Sequence, residues 1–297
     1  MIALIRQEEA KAQVTTRQGE GLSALLDFAQ AAAREKQMTA EADELFQIVY
    51  MINWSLTRLS ASGIDYTEHL RQMQQGNFRF GQQDSKESRF KGFEFEMFVA
   101  ASLTEFHADV ELYPPGSNFD IRFGRVMVEC KQPDSPDPIT IQGYVSDFNA
   151  KLHSLNTEER IVTGVIAIGI EDMFDSRQLP IETLERMDDR SSPMHKQLDA
   201  YLTEVFVPYI CSQKYVLGAF VSFTLPFENA GHRVLCRLVN GLAVDRPTKF
   251  QNKMAKAEFS ETTDVLSKLP SCHPVSTVEI SERWFKSHPE VKPPTKK

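Results

Sequence analysis

The segment Asn118–Lys131 reads NFDIRFGRVMVECK and concentrates the residues best placed for chemistry. Two acids, Asp120 and Glu129, and a lysine, Lys131, flank the dipeptide Gly124-Arg125. Glycine in the first of two loop positions suits a type II′ hairpin turn. Folding the chain there pairs Phe123 with Val126, Ile121 with Val128, and Asp120 with Glu129. Strand alternation then sets Glu129, Lys131 and Asp120 on one face, with Val126, Val128, Cys130, Ile121 and Phe123 on the other.

Two carboxylates directly opposite in a hairpin repel, and the pairing is destabilising unless a cation lies between them. Oxygen donors of this kind suit magnesium or manganese, which keep several waters and pair with a phosphate substrate. The plainer reading of the same residues is a solvated, salt-bridged strand face. Cys130, on the apolar side, reads as a small core residue rather than a reactive thiol.

The elements that position this hairpin can also be read. A phenylalanine-rich helix spans Phe93–Phe106, with Phe95, Val99, Leu103 and Phe106 on one side and Glu96 at the edge of that side. Glu96 is therefore the acid expected to point inward. Glu94 falls beside Ser102 and Glu105 and is expected to be solvated. Strands follow at Ala108–Tyr113, Phe119–Phe123 and Val126–Gln132. An amphipathic helix carries Ile141, Val145, Phe148, Leu152 and Leu155, and a buried strand runs from Arg160 to Ile168. The order is helix, three strands, helix, strand: a mixed α/β unit around a central sheet.

In these residues and this order the chain resembles the PD-(D/E)XK, or restriction-endonuclease-like, nuclease superfamily. That family places one acid on the first strand of a hairpin and (D/E)-x-K on the second, often with a glutamate on the preceding helix. By resemblance, Asp120 is the first acid, Glu129 and Lys131 form the (D/E)-x-K, and Glu96 is the helical glutamate. The resemblance implies a metal held by Asp120, Glu129 and the main-chain carbonyl of Cys130, with Glu96 assisting or binding a second ion. Gln132 follows the lysine, as is common in such nucleases, while Phe119 stands where the motif's name has proline. The similarity covers roughly residues 88 to 169.

Around this unit the chain divides into a helical N-terminal region, 1–80, a nuclease-like domain with a C-terminal hairpin extension, 86–285, and a disordered basic tail, 286–297. In the first region Leu22, Leu25, Leu26 and Ala29, and then Leu45, Ile48, Val49, Ile52 and Leu56, recur at helical spacing, and Tyr66–Gln75 forms a third, shorter helix. Gly76–Ser88 reads as a linker or ordered loop. A helix near Met194–Tyr209 precedes a hairpin of Tyr215–Leu225 and His232–Val239. Gln132, Gln142 and Lys151 are candidates for nucleic-acid contact, although a solvated helix face also accounts for the last two. Arg246, Lys249, Lys253 and Lys256 form a basic stretch that either binds phosphates or lies in a surface loop.

Composition limits the alternatives. The 297 residues are 41% hydrophobic and 25% charged, as in soluble globular proteins, with a net charge of −8. A strongly basic chain would have pointed to nucleic acid by charge alone; here any polyanion must be held locally. Ile161–Ile170 is too short to span a bilayer, and Met1–Arg6 is too brief in its apolar run for a secretory signal. Four cysteines without a C-x-x-C pair indicate neither a disulfide framework nor a zinc ribbon, and a reduced cytoplasmic setting is expected. Seven histidines show no H-E-x-x-H, and there is no G-x-S-x-G elbow, P-loop or dinucleotide fingerprint.

The resulting expectation is a magnesium-dependent phosphodiesterase, with manganese as a substitute, acting on nucleic acid and on DNA before RNA. Lys131 would orient the attacking water or neutralise charge on the phosphate. The competing expectation is an inactive protein of the same fold that binds nucleic acid or serves assembly. No membrane association is expected, and the N-terminal helices are the surface for a homodimer or a protein partner.

Overall fold

The computed structural model describes residues 1–14, 19–35, 40–78, 90–133, 137–157, 160–170, 182–183, 204, 206–229, 232–243 and 253–268. Helices α1 (Ile2–Lys11), α2 (Gly21–Glu35), α3 (Ala40–Ala61) and α4 (Thr67–Gln72) come first. Three were legible in the sequence; α1, built on only a few apolar residues, was not. Helix α5 (Phe90–Thr104) then leads into β1 (Val110–Leu112), β2 (Ile121–Phe123) and β3 (Val126–Lys131). Helix α6 (Pro138–Ser154) and β4 (Thr163–Gly169) complete the expected order. After them stand β5 (Glu182–Thr183), α7 (Val207–Ser212), β6 (Val216–Asn229), β7 (His232–Ala243) and α8 (Lys253–Lys268).

One mixed sheet runs β1-β2-β3-β4-β6, with β7 pairing antiparallel along β6 and the short β5 pairing parallel to its far end. β1, β2 and β3 are antiparallel neighbours, whereas β3–β4 and β4–β6 are parallel. A parallel pair requires a crossover, and α6 supplies it between β3 and β4. Its start is set locally: Asp137 caps it by accepting from the Ile139 N–H, and Pro138 fits the first turn. Ile141, Val145, Phe148 and Leu152 form its buried side.

The sheet is apolar on both faces, and each face has its own core. Val126, Val128, Cys130, Val165, Ala167 and Phe220 pack with α1–α5 and with Val265 and Leu266 of α8. Met127, Ile166, Ile168, Ala219 and Val221 pack with α6 and α7. Helices on both sides of a mixed sheet make this an α/β protein. The N-terminal helices do not form a core of their own: Leu25, Ile52, Leu56 and Leu70 belong to the same apolar cluster as Phe95, Ile121 and Val128. Phe98 is the hub, its ring 5.7 Å from Trp54 of α3 and 6.3 Å from Phe220 of β6.

Two C-terminal expectations meet the structure. The hairpin is present and longer than its apolar runs suggested, as β6 and β7. Lys253 and Lys256, read as part of a basic stretch that either binds phosphates or lies in a surface loop, lie in the first turn of α8. The linker residues 79–88, Arg246, Lys249, most of Met194–Tyr209 and the tail lie outside the described residues. Among the described residues, no helix is long and apolar enough to cross a membrane. Phe28 on α2 and Tyr50 on α3 are half exposed, on the helices where a partner was expected.

Candidate active site

The hairpin register follows the sequence reading for its two inner pairs: Phe123 faces Val126 and Ile121 faces Val128. Gly124 sits at φ 52°, where glycine is favoured, and a Cβ at that position would push the Glu261 carboxylate aside. The reading departs at Asp120. The ladder closes at Ile121–Val128, so the expected Asp120–Glu129 pair is not part of it. Asp120 lies one residue beyond, where its N–H donates to Val128 O at 3.2 Å and its carbonyl accepts from the Tyr113 N–H at 2.8 Å. Freed from the ladder, its side chain turns onto the backbone of β3: Oδ2 accepts from the Cys130 N–H at 2.6 Å.

Glu129 is buried, yet both of its oxygens hold a lysine. Lys131 Nζ donates to Oε1 at 2.8 Å and Lys151 Nζ to Oε2 at 2.7 Å. Lys131 is two residues along the same strand face. Lys151 comes from the last turn of α6, where a cation also complements the helix dipole. Its ammonium lies 4.9 Å from the centre of the Phe119 ring, and Phe119 in turn meets Phe148 edge-on at 6.1 Å. The sequence named Lys151 only as a candidate nucleic-acid contact; its place beside Glu129 was not legible.

On α5 the two glutamates divide differently from the helical-wheel reading. Glu96 Oε2 lies 3.0 Å from His69 Nε2, and its charge is felt at Asp120. Glu94, expected in solvent, is buried and clasped by Arg237 of β7 at 2.6 and 3.0 Å. The wheel failed because α5 is buried almost all round, leaving no solvated face for Glu94. The Arg237 guanidinium also lies over Phe98, 4.7 Å from the ring centre.

Electrostatics draws Asp120, Glu96 and Glu129 into one unit. Burial, then the negative charges of Glu96 and Glu129, push the Asp120 carboxyl up to about 7, against the Cys130 N–H and the Lys131 charge, which favour its anion. Burial and the charges of Asp120 and Glu96 likewise hold the Cys130 thiol well above its ordinary range, which fits a core residue. Lys131 loses some proton affinity to burial but regains more from Glu129, and its pKa is raised.

Of the remaining candidates, Gln142 is exposed on α6, away from any contact that would mark it out. Both side-chain amide atoms of Gln132 are buried, and among the described residues neither has a hydrogen-bond partner. A cavity of about 280 Å³ lies among the N-terminal helices, lined by Glu8, Lys11, Ser60, Asp65, Tyr66 and Thr67, and includes none of these site residues.

Among the described residues, no three His, Cys, Asp or Glu side chains form a ready-made metal cage. The donor set nonetheless fits a magnesium-type ion, which needs one or two carboxylates and retains water. Asp120 and Glu129 are oxygen donors, and Asp120 carries negative-charge repulsion that a cation would relieve. Comparison with protein-family models, curated proteins and solved structures finds no match.

Proposed function

We propose that this protein is a metal-dependent phosphodiesterase that cuts nucleic acid, DNA foremost, on a restriction-endonuclease-like core. The observation that carries the reading is Glu129 held between Lys131 and Lys151, with Asp120 on the neighbouring Cys130 N–H and its carboxyl pushed up to about 7 by burial and by the charges of Glu96 and Glu129. A solvated strand face would not leave a carboxyl so poorly compensated. The order α5, β1–β3, α6, β4 supports the same reading, with Asp120 just before β2 and Glu129 and Lys131 on β3.

In this reading Asp120, Glu129 and the Cys130 carbonyl hold magnesium, and Glu96 assists. Magnesium supplies a water of lowered pKa and a Lewis acid for the phosphate. Lys131 orients the attacking water or offsets charge gathering on the phosphate. The Cys130 N–H fixes the Asp120 carboxylate. Incubation of the purified chain with supercoiled and linear DNA, in magnesium, manganese or EDTA, tests the assignment. Cleavage that needs the metal and stops with EDTA is expected; intact DNA and RNA under every condition would remove it.

One observation favours a second reading, a protein of this fold without activity that binds nucleic acid or serves assembly. Both Glu129 oxygens are already neutralised by lysines, as in a site that needs no cation. Such a protein would bind DNA equally well in EDTA, and manganese would leave its melting temperature unchanged.

A further inference from the structure

Glu129 holds more positive charge than one carboxylate requires. Each oxygen of Glu129 accepts from an ammonium group, so a dication arriving at this carboxylate meets two positive charges already there. On the phosphodiesterase reading, which this inference rests on, metal binding at Glu129 therefore favours release of one lysine, which relieves the repulsion.

The two lysines are equally open to solvent, each side chain 33% exposed against 11% for Glu129. They differ in what else holds them. Lys131 is also favoured by the negative charge of Asp120. Lys151 has no second carboxylate among the described residues; its other contact is the face of Phe119. A cation over an aromatic ring is held loosely yet locally. Once released from Glu129, the Lys151 ammonium therefore stays beside the carboxylates with its three N–H donors available.

We propose that Lys151 is an exchangeable cation of the site: it neutralises Glu129 until a metal takes that carboxylate, then donates to a non-bridging oxygen of the substrate phosphate. Its two tasks have opposite signatures. As a competitor for Glu129 it weakens metal binding; as a phosphate donor it promotes cleavage. A purely structural lysine would support both.

The test compares the parent with Lys151→Gln and Lys151→Arg. Manganese is first titrated against melting temperature without nucleic acid, and DNA cleavage is then measured at saturating manganese. Lys151→Gln is expected to need several-fold less manganese for the same rise in melting temperature, and to cleave at least tenfold more slowly. Lys151→Arg, which keeps the charge, should recover much of the cleavage. If the Gln variant folds poorly, Lys151→Met, which keeps the alkyl chain over Phe119, replaces it in the same comparison. A Gln or Met variant that needs as much manganese as the parent, or cleaves at the parental rate, overturns the proposal and leaves the phosphodiesterase reading intact. A parent that neither responds to manganese nor cleaves overturns that reading, and this proposal with it.

Discussion

His69 Nε2 and Glu96 Oε2 lie 3.0 Å apart, so helix α4 reaches one of the three carboxylates of the site. His69 is buried, and the Phe93 ring meets it edge-on at 5.9 Å. The contact ties helix α4 to the carboxylates proposed as the site. Lys, Asp and Glu supply the charges, while a histidine outside the motif fixes where one of them points.

Replacement of His69 by Phe keeps most of the ring volume and removes the polar tip. Glu96 then loses its hydrogen bond in a mostly buried position, a change that costs about 1–3 kcal/mol. The expected result is a lower melting temperature together with a three- to thirtyfold fall in kcat, with KM nearly constant. Steady-state kinetics at saturating magnesium decides it; an unchanged kcat would show that Glu96 needs no orientation from α4.

Lys131→Ala is expected to remove cleavage while leaving DNA affinity within about threefold of the parent, because affinity arises from many backbone contacts elsewhere. Glu129 still has Lys151 as a partner in this variant, so folding is preserved. Gel-shift and cleavage assays on the same preparation separate the two effects. Full cleavage by Lys131→Ala in magnesium would sink the role assigned to this lysine.

Asp120 gives a pH-dependent expectation. Its carboxyl is ionised in the unfolded chain above about 3.8 but in the metal-free folded protein only above about 7. Between those values folding takes up a proton, so this group makes the protein less stable as pH rises, and the penalty is complete above about 7. Asp120→Asn lacks the penalty and retains an oxygen for the Cys130 N–H. Without metal, the variant should therefore match the parent near pH 4 and exceed it by on the order of 1–4 kcal/mol at pH 8, at about 1.4 kcal/mol per unit. Urea melts at the two pH values measure the difference. Manganese should then stabilise the parent but not the variant. A variant less stable than the parent at pH 8 would mean that the carboxylate is compensated within the fold.

The Glu94–Arg237 pair is expected to matter for stability alone. Arg237→Leu leaves a buried, unpartnered carboxylate and should cost about 3–5 kcal/mol. Replacing both residues by apolar ones of similar size should restore most of that loss. A double variant as unstable as Arg237→Leu would show that the pair contributes more than mutual neutralisation.

What the sequence made legible was local. The hairpin turn at Gly124, its inner register and the apolar alternation on β3 follow from neighbouring residues, and Asp120, Glu129, Lys131 and Glu96 were named from them. The misses are contacts between distant segments. Glu94 meets Arg237 across 143 positions of chain, and helical spacing carries no trace of that partner. Lys151 occupies a polar position on an amphipathic helix, which looks the same whether it faces solvent or Glu129. The offset at Asp120 arises where the β2 ladder ends, and strand alternation assumes that it continues.

The contacts of the Phe98 ring with Trp54 and with Phe220, which join elements far apart in the chain, also bear on ancestry. Rings in such contact share a fixed volume, because interiors close-pack. In an alignment of descendants, a smaller side chain at Trp54 should be accompanied by a larger one at Phe98 or Phe220. A lineage that discarded its first four helices would have to make Phe98 polar or recruit another chain to cover it. The N-terminal region and the strands bearing the acids should therefore have been inherited together, with covariation linking residues that lie far apart in the sequence.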